Sequence, residues 1–175
     1  MQPPHFAGRS LTAASIDIYI HPTFYLYAAF MILILPLPWV FAIVTAAAVH
    51  ECGHLLALRL MGISVTSLRL ELFGALIQTP PLQPWQEVIA AVSGPMSGFV
   101  LFAFYAIFPK VGLCAFVQTM FNLLPILPFD GGRILRSCMQ MIFGPRVVLW
   151  VCRIVAVIVI TAMFVLGIWA AKFSS

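Results

Sequence analysis

Long apolar runs occupy most of this 175-residue chain and constrain its fold more than any other feature. Five of them approach the roughly 20 residues that a helix needs to cross a bilayer, at about 18–36, 39–60, 85–108, 111–129 and 147–171. Hydrophobic residues make up 63% of the sequence and charged residues 8%. A soluble domain is about 45–50% apolar and about 25% charged. The chain therefore predicts an all-α polytopic membrane protein with about five transmembrane helices, embedded in the lipid bilayer, and excludes a nucleic-acid-binding domain.

The distribution of basic residues predicts the orientation of these spans, because cytoplasmic loops of membrane proteins are enriched in Lys and Arg. A cytoplasmic N-terminus leaves only Lys110 and Lys172 outside. We interpret the arginines as topology anchors, with contacts to substrate or lipid as the alternative, and Glu87 as an interfacial charge. The arginines on or near the cytoplasmic side are Arg9, Arg59, Arg69, Arg133, Arg136, Arg146 and Arg153.

The segment between the second and third runs has the period of a strand. Leu68, Leu70 and Leu72 alternate with charged residues, and Gly74 can close a turn. We predict a short β-strand or hairpin around residues 63–79 on the cytoplasmic side. Because bare strand edges are not tolerated in lipid, this element must be covered or line a wet cleft.

An acid inside the second apolar run lies in a metal-binding pattern. A charge at that depth costs at least about 2.5–3.5 kcal/mol on insertion scales, so Glu51 is interpreted as functional. The local sequence is His50-Glu51-Cys52-Gly53-His54, which is H-E-x-x-H. On a helix the two histidines lie about 40° apart and one turn along the axis, so both can bind one zinc ion. Glu51 can then hold a water molecule on that ion without ligating it.

A tetrahedral zinc site needs a third protein ligand, for which Asp130 is the best candidate. It follows the fourth run, near the membrane face at which the second run also ends. Pro125 and Pro128 break the helix there, and the two glycines after Asp130 free the backbone, so the carboxylate can turn inward. Zn²⁺ with ionised Glu51 and Asp130 sums to zero charge, which eases burial.

Two motifs together resemble one known family. His50-Glu51-x-x-His54 in one span and Asn122-x-x-Pro125-x-x-Pro128-x-Asp130-Gly131 after a later one look like the site-2 protease family of intramembrane zinc metalloproteases. The resemblance is greatest to the small, PDZ-less subgroup typified by the stage IV sporulation protease that processes pro-sigma-K. Supporting matches are Ile20-His21-Pro22, Leu72-Phe73-Gly74 and Ser93-Gly94-Pro95.

This resemblance implies a zinc metalloendopeptidase in the bacterial cell membrane. His50, His54 and Asp130 would bind one zinc ion per chain. Glu51 would be the general base, and Asn122 would orient the substrate or stabilise the oxyanion. A strand edge in the loop around 65–74 would bind an extended substrate segment, with substrate-binding residues Leu70, Leu72, Phe73 and Gly74.

The family also implies the partners. The substrate would be a membrane-associated or single-span protein cut near the cytoplasmic face in regulated proteolysis, such as a sigma-factor precursor or an anti-sigma factor, and membrane proteins would regulate the cut. We expect residues 1–175 to form one membrane-embedded protease domain, without a PDZ domain between spans or a CBS domain after them. Gly94-x-x-x-Gly98 would let the third span pack closely on the zinc helices.

Two other functions would use the same residues. A metal-ion transporter would line its path with the His, Asp and Glu cluster, but it needs a polar route on both sides of that cluster. The outer halves of the second and fourth runs are almost purely apolar, apart from Thr45, Gln118 and Thr119. An inactive scaffold would retain the fold without the chemistry, and the intact set of polar motif residues argues against it.

Overall fold

A computed structural model gives the structure of residues 17–71 and 74–173. Within these ranges the chain forms helices and one small sheet, which confirms the predicted fold class. The elements in chain order are β1 (Asp17–Ile20), α1 (Pro22–Ile34), α2 (Leu37–Leu60), β2 (Ser67–Glu71), β3 (Gly74–Gln78), α3 (Pro84–Ala103), α4 (Pro109–Asn122), α5 (Asp130–Gln140) and α6 (Pro145–Phe173).

Three helices in the described part of the chain are long and apolar enough to cross a membrane, namely α2, α3 and α6. Helices α1 and α4 have only 13 and 14 residues. Each rises about 20 Å, which is less than the roughly 30 Å of a hydrocarbon core. The spans expected at 18–36 and 111–129 are therefore shorter than predicted, and the count of five stays a prediction.

The sheet has the order β1-β2-β3, with β2 parallel to β1 and antiparallel to β3. The predicted hairpin around 63–79 is present as β2 and β3. The assignment of residues 18–20 to the first span was wrong, because they belong to β1. Leu70 pairs with Ile20 on one side and with Ala75 on the other, so β2 is the central strand. The outer edge of β3 has no strand beside it among the described residues.

Small residues allow α2, α3 and α4 to pack closely, as is typical of helices in membranes. A Cβ atom on Gly98 would overlap with Thr119 of α4, and one on Gly94 would overlap with the rings of His50 and His54 of α2. The close approach expected for the Gly94-x-x-x-Gly98 pattern is thus present. The other small residues buried in these helices include Ala42, Ala46, Ala90, Ala91 and Ala115.

Helix α6 lies outside this core. Val148, near its start, is buried, but its most apolar window presents no buried residue. A long helix with an exposed apolar surface on all sides is suited to contact with lipid. The packed core that carries the polar cluster is therefore made by α2, α3, α4 and α5.

Candidate metal centre

The two histidines of the H-E-x-x-H motif lie on the buried face of α2. His50 and His54 are 3% and 5% exposed, and their ring centroids are 4.8 Å apart. Their Nε2 atoms approach to 3.2 Å, as the helical spacing predicts. Leu60, the last residue of α2, follows His54 by six positions and His50 by ten, which is about 9 Å and 15 Å of axial rise. The cluster thus lies well inside the helix rather than at its end.

Asp130 reaches the same point from the start of α5. Its Oδ2 atom lies 3.0 Å from His50 Nε2 and 3.2 Å from His54 Nε2, and the residue is 6% exposed. The chain turns sharply between α4 and α5, and Gly131 and Gly132 pack directly against the backbone of that turn, where a Cβ atom would overlap with it. These two glycines let α5 begin close to the end of α4, which directs the carboxylate inward.

The geometry of the three side chains fits a zinc ion. One ligand atom from each of His50, His54 and Asp130 lies within 4.8 Å of the others. The closest pairs are separated by 3.0 to 3.2 Å. Zinc bonds of about 2.0–2.1 Å at tetrahedral angles separate ligand atoms by about 3.3 Å. The three residues can therefore hold one zinc ion and leave a fourth position for water or substrate.

The hydrogen bonds around the histidines support the same conclusion. His54 Nδ1 donates to the carbonyl oxygen of Ala90 at 2.7 Å, so in the neutral ring the Nε2 atom carries a lone pair. The side-chain amide of Asn122 donates to His50 Nε2 at 3.2 Å, which assigns a lone pair there too. Two lone pairs and a carboxylate oxygen that face one another repel unless a cation lies between them.

The charge of Asp130 suits a metal ligand. Its Oδ1 atom accepts a hydrogen bond of 3.2 Å from the Arg133 guanidinium, and a neighbouring positive charge favours the ionised carboxylate. An anion with two neutral imidazoles is a common ligand set for catalytic zinc.

Glu51 lies beside the cluster and faces the sheet. It is half-buried, and its Oε1 atom accepts a long hydrogen bond of 3.4 Å from the backbone N–H of Ala75 in β3. Gly74, with a φ of +130°, begins β3 next to the same oxygen, and a Cβ atom there would lie 3.5 Å from it. The start of β3 thus covers the side of the motif that carries Glu51.

The predicted substrate-binding residues divide into two groups. Leu70 is inside the sheet and is paired on both sides, whereas Gly74 is the first residue of the outer strand β3. Leu72 and Phe73 lie outside the described residues, as does the topology anchor Arg9. Among the described residues both β1 and β3 are edge strands, and β3 is the one whose backbone contacts Glu51, through Ala75.

Two residues of the site were not predicted. Arg133 donates from Nη1 to Asp130 Oδ1 at 3.2 Å and from Nε to Glu87 Oε1 at 2.8 Å. From the sequence, Arg133 was predicted to be a topology anchor and Glu87 an interfacial charge. The spacing of Asp130 and Arg133 by three residues is a signal for the first contact, since such pairs are neighbours on a helix. The second contact joins α3 to α5 and has no signal in the local sequence.

Comparisons with known proteins agree with the fold and with a zinc metalloprotease family. Residues 102–166 match the family described as peptidase family M50. The chain is 33% identical, over an alignment of 129 residues, to the protein named "Putative zinc metalloprotease sll0528" of Synechocystis sp.. This alignment covers 61% of the chain and 34% of that protein, so the chain spans about a third of the length of this relative.

A solved structure has the same fold. The site-2 protease from Methanocaldococcus jannaschii matches with a TM-score of 0.65 and 19% identity, over 89% of this chain and 82% of that one. The resemblance to site-2 type zinc metalloproteases that the sequence predicts is therefore confirmed. The likeness to the sporulation subgroup rests on the sequence motifs alone.

Proposed function

We propose that this chain is an intramembrane zinc endopeptidase that cleaves a membrane-associated or single-span protein. The observation that carries this proposal is the meeting of His50, His54 and Asp130 in a buried cluster of zinc-like spacing. Glu51 follows the first of these ligands on the same helix, in the position that a general base takes in the H-E-x-x-H motif. The family match and the zinc metalloprotease relative support the same activity.

The proposed chemistry divides between the ion and the side chains. Zinc held by the three ligands would polarise the scissile carbonyl and acidify the attacking water. Glu51 takes a proton from this water while the water oxygen bonds to the carbonyl carbon. Glu51 then delivers that proton to the leaving nitrogen as the C–N bond breaks. The amide of Asn122 reaches the ligand cluster and can donate to the developing oxyanion.

The open edge of β3 is the proposed docking site for substrate. An extended segment added there would continue the sheet, since β3 has a strand neighbour on one side only among the described residues. The N–H of Ala75 reaches Glu51, and this contact supports a substrate path along β3. Gly74 would lie at the end of the bound segment nearest the general base, and Leu70, Leu72 and Phe73 stay proposed substrate-binding residues.

The distribution of arginines supports a cytoplasmic N-terminus and a site near the cytoplasmic face of a multi-pass protein. By analogy with the sporulation type, the substrate would be a sigma-factor precursor or an anti-sigma factor, and membrane regulatory proteins would control access. A helical substrate hides its amides in hydrogen bonds, so its scissile segment must unwind before it can pair with β3.

The packing on the far side of the cluster favours an enzyme over a metal-ion transporter. Ala42, Ala46 and Ala115 are each about 1% exposed in the helices that continue away from the ligands. Thr119 is fully buried there, against Gly98. A transport path would have to cross this closely packed apolar region, which offers few polar groups to replace water around an ion.

The replacement of Glu51 by Gln tests the activity. We expect cleavage of a co-expressed substrate to fall at least about 10²-fold, because the variant lacks the general base. Bound zinc should remain near one ion per chain, because Glu51 is not a ligand. The matched control is Asp17→Asn, which neutralises an exposed acid on β1. Cleavage that survives in Glu51→Gln, or that resists metal chelation, would contradict the proposal.

A further inference from the structure

The two oxygen atoms of the Asp130 carboxylate face different partners. Oδ2 faces the histidines, at 3.0 Å from His50 Nε2, and Oδ1 accepts a hydrogen bond of 3.2 Å from Arg133 Nη1. Arg133 lies one helical turn further along α5, which places its guanidinium over the carboxylate. Arg133 thus occupies the oxygen that does not face the cluster.

Arg133 is itself held by a second carboxylate. Its Nε atom donates to Glu87 Oε1 at 2.8 Å, a short, charge-assisted hydrogen bond. The side chains of Arg133 and Glu87 are 34% and 27% exposed, so the pair is partly shielded from solvent. The guanidinium therefore uses two of its nitrogens to join α3 to the ligand on α5.

The same turn of α3 orients a second ligand. Ala90, three residues after Glu87, accepts the Nδ1–H of His54 at 2.7 Å. One short stretch of α3 therefore fixes His54 directly and Asp130 through Arg133. Groups that orient metal ligands in this way typically change metal affinity about 10- to 100-fold when they are removed.

We propose that Arg133, held in place by Glu87, is a positioning residue that presents Asp130 to the metal through Oδ2 alone. The inference rests on the zinc site of the proposed function. Without Arg133, Oδ1 is free to turn toward the cation or toward solvent, and either rotation changes the ligand set. Lys is a poor substitute, because its compact ammonium on a flexible stem lacks the rigid planar fork with which Arg133 reaches Glu87 and Asp130 from two separate nitrogens.

The test measures metal binding by the full chain purified in detergent. The variants are Arg133→Gln, Arg133→Lys and Glu87→Gln, and the matched control is Arg136→Gln, an exposed arginine on the same helix. The readouts are Zn²⁺ affinity, from competition with a chelator, and the visible absorption of Co²⁺ added in place of zinc, which reports the number and geometry of its ligands.

We expect Arg133→Gln to weaken Zn²⁺ binding about 10- to 100-fold and to alter the Co²⁺ spectrum. Arg133→Lys should do nearly the same, and Glu87→Gln should give a smaller loss in the same direction. Arg136→Gln should match the wild type in both measurements, although it removes the same charge.

The inference is wrong if Arg133→Gln binds Zn²⁺ as tightly as Arg136→Gln with an unchanged Co²⁺ spectrum, while the wild type still binds zinc and cleaves. A wild type that neither binds zinc nor cleaves would overturn the proposed function as well. If Arg133→Gln fails to fold, the Co²⁺ spectrum of Glu87→Gln is the deciding measurement, because this variant retains Arg133 but lacks the carboxylate that holds it. An unchanged spectrum in that variant would refute the positioning role.

Discussion

Each ligand of the candidate metal centre contacts a group that is not itself a ligand. Ala90 selects the tautomer of His54, Asn122 contacts His50, and Arg133 holds the outer oxygen of Asp130. Preorganisation of this kind reduces the entropy that the side chains lose when they bind an ion. A residue that does not touch the ion can therefore change its affinity.

Gly94 is the residue at which this dependence is most direct. The change Gly94→Ala places a methyl group against the imidazoles of His50 and His54, so the rings or α3 must move. We expect a loss of about 10-fold or more in Zn²⁺ affinity, measured by chelator competition. Gly167→Ala in α6 meets no atom within 4 Å and is the matched control. Equal affinities in the two variants would contradict the close packing at Gly94.

At the scale of elements, local patterns were predicted from the sequence and distant pairings were not. The helix that carries His50 and His54 follows from hydropathy and from the i, i+4 spacing, both of which are local. Strand β1 was missed because its partner in β2 lies 50 positions along the chain, from Asp17 to Ser67. Its apolar residues were therefore assigned to the start of the first predicted span.

Helix α5 was missed for a different reason. Residues 130–146 contain three glycines and three arginines, so they fall outside the five apolar runs and no helix was predicted there. In the structure Gly131 and Gly132 lie in the first turn of α5, where they allow contact with the backbone of the preceding turn. The close packing that these glycines allow outweighs their low helix propensity, which costs about 1 kcal/mol per glycine relative to Ala.

The free edge of β3 gives a prediction for this element. The N–H of Ala75 points away from β2, toward Glu51 at the outer edge of β3. Successive N–H groups along a strand point to opposite sides, so the N–H of Ile77, two residues later, faces the same outer edge. Ile77→Pro should leave the hairpin intact and remove one donor from this edge. We expect slower substrate cleavage with unchanged Zn²⁺ binding, measured in one preparation.

The control for this experiment is Ile77→Ala, which shortens the side chain but retains the N–H. If both variants cleave at the same rate, backbone pairing at β3 plays no part in substrate binding. If Ile77→Pro also loses zinc, the substitution has disturbed the site rather than the edge.

At the scale of the whole molecule, the polar cluster lies toward one end of the helical core. The start of α4 is at the opposite end, since Lys110 precedes Asn122 by twelve positions, about 18 Å of rise. The segment between α5 and α6 precedes Arg146, and the enrichment of cytoplasmic loops in Arg predicts this segment on the cytoplasmic side. The same rule predicts Lys110 outside, so we expect the two loops on different sides of the bilayer.

The orientation can be measured by cysteine labelling in intact cells. In a background without native cysteines, Lys110→Cys should react with an impermeant reagent from outside, and Gly144→Cys should react only after the membrane is opened. Both positions are exposed. The reverse pattern would place the N-terminus outside and move the proposed cleavage away from the cytoplasmic face. The native cysteines to be replaced are Cys52, Cys114, Cys138 and Cys152.

Strand β1 determines what the protein would lose if proteolysis removed its N-terminal segment. A lone two-stranded hairpin is only marginally stable in water, and a third strand is what usually secures it. Clipping the chain beyond Ile20 would leave every metal ligand in place but deprive β2 of its parallel neighbour. A shortened form would thus retain its metal ligands but lose the third strand that stabilises the sheet beside them.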